Sequence, residues 1–394
     1  MSLLPLDEAQ ARLLALAVPL EGEQIDITQA AGRYLAVPLA ALRSQPAANL
    51  SAMDGYAIRW ADMPGPWSLI GESAAGHQFP GSIAAGQCVR ISTGAVLPKE
   101  ADSVVVQEDV ERIGDEVFLR RDGPDRSGKH VRPAGQDFAA GDMLLDAGDE
   151  MTAARVALAI MAGHGWVETG RLPHVVILNS GDELVTPGRI PDSADQIPAS
   201  NALMLAAMLN RLPCTVTIGA IIPDSASVIA DAIREHDKAD IIVTTGGASV
   251  GDHDQIVPAL ENLGAAPDFW RVAMKPGKPI LAARLGKAVM LGLPGNPVSA
   301  FVTAMLFLLP LIRYLAGASQ PLPAVRHAPL GTALPAGGSR LEFLRATLGD
   351  GVLHPLTSQD SAALGILAKA DALIVRPINA PPALNGEIVQ FLPL

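Results

Sequence analysis

The stretch DIIVTTGGASVGDHD (residues 240–254) joins a run of apolar and β-branched residues to a turn rich in glycine and in oxygen-bearing side chains. The run is typical of a buried strand, and a helix is predicted over 253–263. Paired glycines between a strand and a helix let backbone N–H groups approach an anion, and the helix N-terminus adds partial positive charge. The stretch therefore predicts an anion site in an α/β domain, against the plainer alternative of a βα turn in which Asp252 caps the helix.

The same alternation of strands and helices extends to both sides of this stretch. Strands are predicted at 174–180, 214–222, 240–247, 269–274, 280–284 and 288–293, and helices at 200–212, 225–236 and 297–315. Continuous strands rich in Val and Ile that alternate with helices are typical of a parallel sheet with both faces covered. We therefore expect a parallel-sheet α/β domain in this part of the chain.

The rest of the chain follows a different pattern. An amphipathic helix is predicted over 6–17, and a second helix, capped by Thr152, ends near Gly163. Residues 45–137 contain short β-type runs between Gly and Pro residues, which predicts a mostly β segment. A Pro-rich stretch over 317–330 indicates a boundary before a small β-rich terminal domain.

Charge is distributed unevenly along the chain. There are 29 Lys and Arg against 41 Asp and Glu, a net charge of −12, which argues against nucleic acid or an anionic membrane as a partner. Between Phe269 and Leu341, however, there is no Asp or Glu, and there are eight Lys and Arg residues. Protein surfaces normally mix both signs, so we expect an anionic ligand to bind in this stretch.

Several protein classes are disfavoured by the motifs that the sequence contains. The two cysteines, Cys88 and Cys214, form neither a disulfide framework nor a zinc motif, which favours a reducing cytoplasm. The first residues lack the pattern of a signal peptide, and Gly and Pro residues interrupt the uncharged stretch 288–312, so we expect a soluble protein. Residues 123–130 come close to a P-loop but lack its last Ser or Thr, and dinucleotide, zinc-protease and serine-hydrolase motifs are missing.

Three further loops carry chemical groups next to predicted strands. MKPGKP (274–279) holds two lysines in a rigid turn, which favours anion binding over a plain solvated turn. LPGNPVSA (293–300) directs backbone amides and a serine toward a helix start, where they could bind an anion. An ordinary turn before a helix explains this pattern equally well. NSGDELV (179–185) places Asp182 and Glu183 where they either bind a metal or cap a helix.

The loops at 244–254, 274–279 and 293–300 are expected to end three strands of one sheet. Ligands of open α/β sheets bind at the carboxyl ends of the strands. Turns of the β segment, at 51–57, 92–95 and 130–137, also carry carboxylates and hydroxyls, but an ordinary turn explains each of them alone.

In this order, the motifs resemble those of the molybdopterin molybdenumtransferase (MoeA) family, whose vertebrate counterpart is the E domain of gephyrin. The similarity extends over nearly the whole chain, and the combination is specific although each piece is modest. The matching segments are SAMDGYA (51–57), STGAVLPKEADSVVVQED (92–109), VRPAGQDFAAGD (131–142), SGDELV (180–185), TTGGASVGDHD (244–254), MKPGKP (274–279), LPGNPVSAF (293–301) and RLEFLRATL (340–348). One departure is Gln359-Asp360, which stands where the family usually has a glycine after Ser358.

The resemblance implies a multidomain α/β plus β fold in an elongated homodimer. Its parallel-sheet α/β domain, residues 171–320, would bind molybdopterin. A split N-terminal domain would combine 1–44 with 138–170, an inserted β domain would comprise 45–137, and a C-terminal β-barrel-like domain would comprise 321–394.

The resemblance also implies an activity. Members of the family insert molybdate into adenylylated molybdopterin, hydrolyse the adenylate, and release molybdenum cofactor and AMP, with Mg²⁺ required. The implied partners are a second copy of the chain, molybdopterin adenylyltransferase and the proteins that assemble molybdoenzymes, with no nucleic acid and no membrane.

Roles for individual residues follow from the same motifs. Substrate would contact the phosphate-binding and oxyanion-binding loops and one arginine of the terminal domain: Thr245, Gly246, Gly247, Ser249, Lys275, Lys278, Pro294, Asn296, Ser299 and Arg345. Catalysis would depend on acidic and hydroxyl side chains that face the same site, some from the second subunit: Asp54, Thr93, Asp137, Glu183 and Asp252. The ligands of magnesium would be Asp252, Asp254 and Glu183.

Two other functions remain open at this point. An α/β domain with the same kind of TTGG loop occurs in molybdopterin adenylyltransferase, but those proteins are small and have one domain, so the additional motifs favour molybdate insertion. The E domain of gephyrin also clusters receptors by binding their peptides. We favour the enzyme over a receptor scaffold, because no adenylyltransferase domain or long linker precedes the motifs.

Overall fold

A six-stranded sheet forms the centre of the α/β part of the chain. The computed structural model describes residues 3–246 and 255–394, and this sheet takes all its strands from 174–293. In order across the sheet, the strands are Thr215–Ile222, His174–Ser180, Ile241–Thr245, Ala288–Leu293, Leu281–Leu285 and Pro267–Trp270. The first four run parallel, as predicted.

The last two strands differ from the parallel arrangement that the sequence predicts. Leu281–Leu285 pairs antiparallel with Ala288–Leu293 on one side and with Pro267–Trp270 on the other. Only Gly286 and Lys287 separate Leu281–Leu285 from Ala288–Leu293. A connection of two residues can join only antiparallel neighbours, because parallel strands need a long crossover.

Helices cover both faces of the central sheet. Val175 and Ile177 belong to one apolar cluster and Val176 and Leu178 to another, because successive side chains of a strand point to opposite faces. The helices of the first cluster are Leu6–Ala15, Asn201–Leu209 and Pro297–Leu315, and those of the second are Ala226–Arg234 and Ile256–Asn262.

The helix Pro297–Leu315, which includes a π-helical turn over Ala304–Leu308, is the main core helix of this part. Among the described residues it is the one helix long and apolar enough to cross a membrane. Because 78% of its most apolar window is buried inside the protein, it packs as a core helix, as the sequence predicts.

Two short antiparallel pairs join segments from either side of residues 45–137. The pairs are Gly22–Asp26 with Trp166–Gly170, and Leu39–Ala40 with Met143–Leu145. The helix Ala153–Met161 packs with them, and Thr152 caps it by accepting a hydrogen bond from the Arg155 N–H, as predicted.

The residues in between form a second six-stranded sheet. In order across it, the strands are Ser103–Val106, Gly55–Ile58, Gln87–Ile91, Trp67–Ser73, Glu116–Leu119 and Val110–Ile113. A separate short pair joins Leu50–Ser51 to Val131–Arg132. The mostly β character predicted for this segment is confirmed.

A third six-stranded sheet forms the C-terminal part. In order, its strands are Met274–Lys275, Leu341–Gly349, Ala372–Arg376, Ile388–Pro393 and Arg326–Pro329, with Val352–Pro355 paired to Leu341–Gly349 on the side. A short helix, Leu364–Leu367, precedes the strand Ala372–Arg376. The fold class predicted from the sequence, multidomain α/β plus β, is confirmed.

The first strand of this third sheet comes from an unexpected place in the chain. Met274–Lys275 lies within the α/β part of the sequence, yet it pairs with Leu341 and Glu342. The loop MKPGKP (274–279), called the lysine loop below, therefore begins with a strand of the C-terminal sheet. The expectation that it ends a strand of the central sheet is wrong.

Candidate active site

A small cavity opens where two parallel strands of the central sheet end. Thr245 and Leu293 are register partners at the carboxyl ends of these strands. The cavity has a volume of about 50 Å³. Its lining comes from four segments of the chain: Asn179, Ser180, Glu183, Leu184, Ile197, Pro198, Ala199, Ser200, Asn201, Thr245, Gly246, Gly295 and Pro297. Three predicted site residues, Glu183, Thr245 and Gly246, thus meet at one place.

Gly246 makes the closest backbone approach in this cavity. Its φ is +97°, and a Cβ atom at this position would lie 2.2 Å from the carbonyl oxygen of Ser180. A Cβ atom on Gly295 would lie 3.6 Å from the Gly246 Cα atom. The backbone of Gly246 therefore packs directly against the Ser180 carbonyl, and the two glycine turns lie close together because neither carries a side chain.

The side chain of Thr245 forms a hydrogen bond with a buried residue. Its Oγ1 donates a hydrogen bond to Asn179 Oδ1 at 2.8 Å, and both residues are buried. A hydroxyl has one hydrogen to donate, so Thr245 can only accept a further hydrogen bond in this arrangement. It ties the strand ends together, and it was predicted as a phosphate contact.

Glu183 stands on a tight loop at the edge of the cavity. A Cβ atom on Gly181 would lie 2.6 Å from Glu183 Oε2, so the carboxylate folds back over the loop. The Glu183 carbonyl accepts a hydrogen bond from the Ile197 N–H at 2.8 Å, which joins the loop to the short strand pair Leu184–Val185 and Ile197–Pro198. Asp182, by contrast, accepts a hydrogen bond from the Asp224 N–H.

The remaining predicted residues of the TTGG loop cannot be placed here. Gly247, Ser249, Asp252 and Asp254 lie outside the described residues. Within the described part of the chain, no group of three or more His, Cys, Asp or Glu side chains is arranged to hold a metal. Of the predicted magnesium ligands, Glu183 is the one whose position is known.

The turn after Leu293 is held from two sides. Asn201 Nδ2 donates to the Gly295 carbonyl at 2.7 Å, whereas Asn296 Nδ2 donates to Ser361 Oγ of the C-terminal part at 3.1 Å. Pro297 starts the helix at a position that suits proline, because the missing N–H would be unpaired there anyway. Pro294 precedes this turn, and Ser299 is buried in the first turn of the helix.

The lysine loop lies against the same helix. Gly277 has a φ of +97°, and its Cβ atom would lie 2.5 Å from Thr303 Cγ2. Lys275 Nζ forms an ion pair with Glu342 Oε1 at 3.0 Å, with the lysine side chain half exposed. Lys278 is exposed, and neither lysine lines the cavity formed by the described residues.

Asp54 and Thr93 form a pair in the inserted sheet. Asp54 Oδ1 accepts hydrogen bonds from the Thr93 N–H at 2.7 Å and from Thr93 Oγ1 at 3.0 Å. These bonds, with a smaller contribution from Arg90, hold the pKa of Asp54 below its ordinary value. Asp137 is exposed, and none of these three residues lines the cavity described above.

Three models of known protein families match most of the chain. Residues 4–163 match the MoeA N-terminal region (domains I and II), 176–314 a probable molybdopterin binding domain, and 327–394 the MoeA C-terminal region (domain IV). The molybdopterin molybdenumtransferase of Haemophilus influenzae is 34% identical over 99% of this chain and 98% of its own length. The chain belongs to the MoeA family.

Other relatives and solved structures agree with this MoeA assignment. The molybdopterin molybdenumtransferase of Bacillus subtilis is 30% identical over 99% of this chain and 94% of its own length. Gephyrin of Dictyostelium discoideum is 32% identical over 98% of this chain, which spans 62% of that protein. A crystal structure of the molybdopterin biosynthesis MoeA protein from Pyrococcus horikoshii has a TM-score of 0.82 at 26% identity and covers 100% of this chain and 99% of its own.

Arg345, predicted to bind substrate, lies in the strand Leu341–Gly349 of the C-terminal sheet. Only 1% of the residue is exposed, and burial lowers the pKa of its guanidinium. Its Nη1 donates to the Asp360 carbonyl at 2.8 Å, and its Nη2 donates to the Ser358 carbonyl at 3.2 Å. The guanidinium is therefore occupied by a loop of its own domain.

Two residues of the site were missed by sequence reasoning. Asn201, which the sequence suggests only as a helix cap, donates to the Gly295 carbonyl, and its buried Oδ1 has no hydrogen-bond partner among the described residues. Ser361 contacts Asn296 across 65 residues of sequence. The helix start at 200–201 marked Asn201 as worth testing, but no local pattern pointed to Ser361.

Proposed function

We propose that this chain inserts molybdate into adenylylated molybdopterin, hydrolyses the adenylate, and releases molybdenum cofactor and AMP. The observation that carries this proposal is the meeting of Gly246, Glu183 and the Gly295 turn at one cavity in a chain of the MoeA family. Ligands of α/β sheets bind at such strand ends.

The phosphate of the substrate lies against the two glycine turns. Neither Gly246 nor Gly295 carries a side chain, so the backbone of both turns lies at the wall of the cavity. Gly247, Ser249, Pro294, Asn296 and Ser299 belong to the same two loops and complete this wall in the proposal. Thr245 acts here by fixing the strand end through Asn179.

Magnesium is the cofactor in this proposal. Carboxylate oxygens are ligands that Mg²⁺ prefers, and Glu183 offers one at the cavity wall, with Asp252 and Asp254 as the other ligands. When bound, Mg²⁺ neutralises charge on the phosphoanhydride. Lys275 and Lys278 add positive charge for the oxyanions, and Lys275 exchanges its ion pair with Glu342 for the ligand.

Asp54, Thr93 and Asp137 act from the second subunit of a homodimer. Support comes from their position in the inserted domain, where none of them lines the described cavity of the same chain. The two hydrogen bonds that Thr93 donates lower the pKa of Asp54 and so stabilise its ionised form. If the second subunit completes the site, Asp54 and Asp137 can serve catalysis although they lie outside the cavity of their own chain.

Mixed dimers test this arrangement. Glu183→Ala and Asp54→Ala should each inactivate the homodimer. Equal mixing after subunit exchange should restore about a quarter of wild-type AMP release, because half of the dimers are mixed and one of their two sites is intact. If each site used only its own chain, mixing would restore nothing.

We also propose that the protein is a soluble cytoplasmic enzyme that binds neither nucleic acid nor membrane. Molybdopterin adenylyltransferase would supply its substrate, and the proteins that assemble molybdoenzymes would receive its product. Both cysteines are free, and burial raises the pKa of the Cys88 thiol to about 12 and that of Cys214 to about 11. Thiols with pKa values this high are largely protonated at neutral pH and therefore unreactive.

AMP release from adenylylated molybdopterin is the decisive measurement. We expect AMP and molybdenum cofactor to appear only when both molybdate and Mg²⁺ are present. An adenylyltransferase would instead form the adenylate from molybdopterin and ATP, and a pure scaffold would do neither. Either of those results would overturn the proposal.

A further inference from the structure

Asp54 lies at a point of the inserted sheet where the ends of three strands meet. It directly precedes the strand Gly55–Ile58, which lies between the strands Gln87–Ile91 and Ser103–Val106. Both neighbours run antiparallel to this middle strand, so their last residues lie beside its first residue. The two turns that follow the neighbouring strands are therefore brought to Asp54.

Each of these two turns holds one side of Asp54. Thr93, in the turn after one neighbour, donates both of its hydrogen bonds to Asp54 Oδ1. Gln107, directly after the other neighbour, donates its backbone N–H to the Asp54 carbonyl at 3.1 Å. Within the described residues no hydrogen bond reaches Asp54 Oδ2, and the residue is exposed. The backbone and one carboxylate oxygen are thus fixed, and the other oxygen is available to a ligand.

The side chain of Arg90 joins the same three strand ends. Its Nη1 donates to the carbonyls of Gly55 at 2.7 Å and of Ile91 at 3.0 Å. Its Nη2 donates to Gln107 Oε1 at 2.7 Å. The guanidinium also lies over the ring of Tyr56, 5.4 Å from the ring centroid. Arg90 therefore starts on one neighbouring strand, crosses the middle strand, and ends at the residue that follows the other neighbour.

A guanidinium is well suited to this position. It is planar, and its donors have a fixed geometry, so several hydrogen bonds to it define both position and orientation. Tyr56 is only 7% exposed and belongs to the core of the inserted sheet, which gives the guanidinium a rigid surface to stack on. The pKa of Asp54 is lowered mainly by Thr93 and, to a smaller extent, by the charge of Arg90. Arg90 thus acts on the carboxylate through both geometry and charge.

We propose that Arg90 is a positioning residue for the active site, which fixes the turn that carries Asp54 and so directs Oδ2 of that carboxylate to the substrate. This rests on the proposed function for the catalytic role of Asp54. Arg90 does not contact the substrate; it acts through Asp54. Loss of Arg90 should therefore slow the chemical step and leave the binding of molybdate unchanged.

Two substitutions of Arg90 separate its geometry from its charge. Arg90→Gln removes the charge, whereas Arg90→Lys keeps it on a single ammonium group in place of the planar fork. Both should lower the kcat of AMP release about ten- to a hundredfold, because a small displacement of a catalytic group has an effect of this size. The KM for molybdate should stay the same in both. A kcat of Arg90→Lys equal to that of wild type would overturn the proposal.

Arg112→Gln is the matched control. Arg112 lies in the strand Val110–Ile113 of the same sheet, and its Nε donates to the Gly114 carbonyl at 2.8 Å. It thus also holds a turn through a backbone carbonyl, but it has no contact with the Asp54 turn. Arg112→Gln should leave kcat unchanged, and equal losses in Arg112→Gln and Arg90→Gln would overturn the proposal.

Titration of the Asp54 carboxyl group by NMR provides a readout that does not depend on activity. The pKa of Asp54 should rise toward its ordinary value in Arg90→Gln, because a nearby charge is lost and the Thr93 hydrogen bonds are loosened. It should stay the same in Arg112→Gln. An unchanged pKa in Arg90→Gln would overturn the proposal.

Gln107→Ala covers the case in which the Arg90 variants do not fold. It removes the acceptor of Arg90 Nη2 and keeps the backbone N–H that Asp54 uses. It should lower kcat and raise the pKa of Asp54, each less than Arg90→Gln would, and no change in either would overturn the proposal. A wild-type protein that releases no AMP would contradict the proposed function, whereas the titration would still decide whether Arg90 positions Asp54.

Discussion

Thr245 and Asn179 join the carboxyl ends of two parallel strands through a single buried hydrogen bond of 2.8 Å. The two residues are register partners in the central sheet, and each is less than 5% exposed. Their contact fixes the point at which Gly246 leaves the sheet and turns into the cavity.

Replacing Thr245 with valine keeps the shape of the side chain and removes the hydroxyl. Asn179 Oδ1 is then buried without a donor, so we expect Thr245→Val to cost about 1–3 kcal/mol of unfolding free energy. AMP release should fall as well. Urea unfolding and the AMP assay measure the two effects.

Thr169→Val is the matched control for that change. Thr169 is fully buried, and within the described part of the chain its Oγ1 has no hydrogen-bond partner. Removing an unpaired buried hydroxyl should leave stability unchanged or increase it. Equal losses in the two variants would show that the Thr245 hydroxyl carries no special role.

Gly246→Ala should prevent the cavity from forming as described. The added Cβ atom would meet the Ser180 carbonyl oxygen at 2.2 Å, in addition to the cost of a positive φ. Gly317 has nearly the same φ, +95°, with nothing within 4 Å of its Cβ position. Gly317→Ala should therefore cost only about 1–2 kcal/mol, and a comparable loss of stability in both variants would contradict the steric argument.

Asp54→Asn should change the response of stability to pH. The pKa of Asp54 is lowered from 3.8 in the folded protein by the two hydrogen bonds from Thr93. A lowered folded-state pKa stabilises the protein above the ordinary value, and this contribution is lost as the pH falls through the folded-state pKa. Wild type should therefore be more stable than Asp54→Asn at pH 7, and the difference should vanish under acid conditions. A difference that persists at low pH would rule out ionisation as its cause.

The ion pair between Lys275 and Glu342 predicts opposite effects of two neighbouring changes. Glu342→Gln releases Lys275 for an oxyanion and should lower the KM for molybdate, whereas Lys275→Gln should raise it. Neither should change stability by more than about 1 kcal/mol, because the pair is partly exposed. Asp268→Asn, which breaks the comparable pair with Arg12, is the control and should leave the KM unchanged.

The sequence predicted those parts of the site that depend on local pattern. The run 240–245 reads as a buried strand, and a glycine turn after it is where the cavity lies. The helix Pro297–Leu315 and its proline start were also foreseeable, because apolar length and turn residues are local properties. The antiparallel pairing through Gly286 and Lys287 could also have been predicted, because two residues are too few for the crossover that a parallel pair needs.

Contacts between distant segments left no such signal. The pairing of Met274–Lys275 with Leu341 and Glu342 depends on backbone groups, which every residue has. The contact of Ser361 with Asn296 joins two ordinary turn residues. Arg345 lies in a motif, but only the structure shows that its guanidinium is buried and donates to the carbonyls of Ser358 and Asp360.

The strand Met274–Lys275 couples the α/β part of the chain to the C-terminal sheet. A chain cut after Val325 would remove five of the six strands of the third sheet and leave Met274–Lys275 with an open edge. Exposed edges of this kind recruit other strands and promote aggregation. The fragment should therefore aggregate more readily than the whole chain, and supplying residues 326–394 on a separate chain should reduce that aggregation.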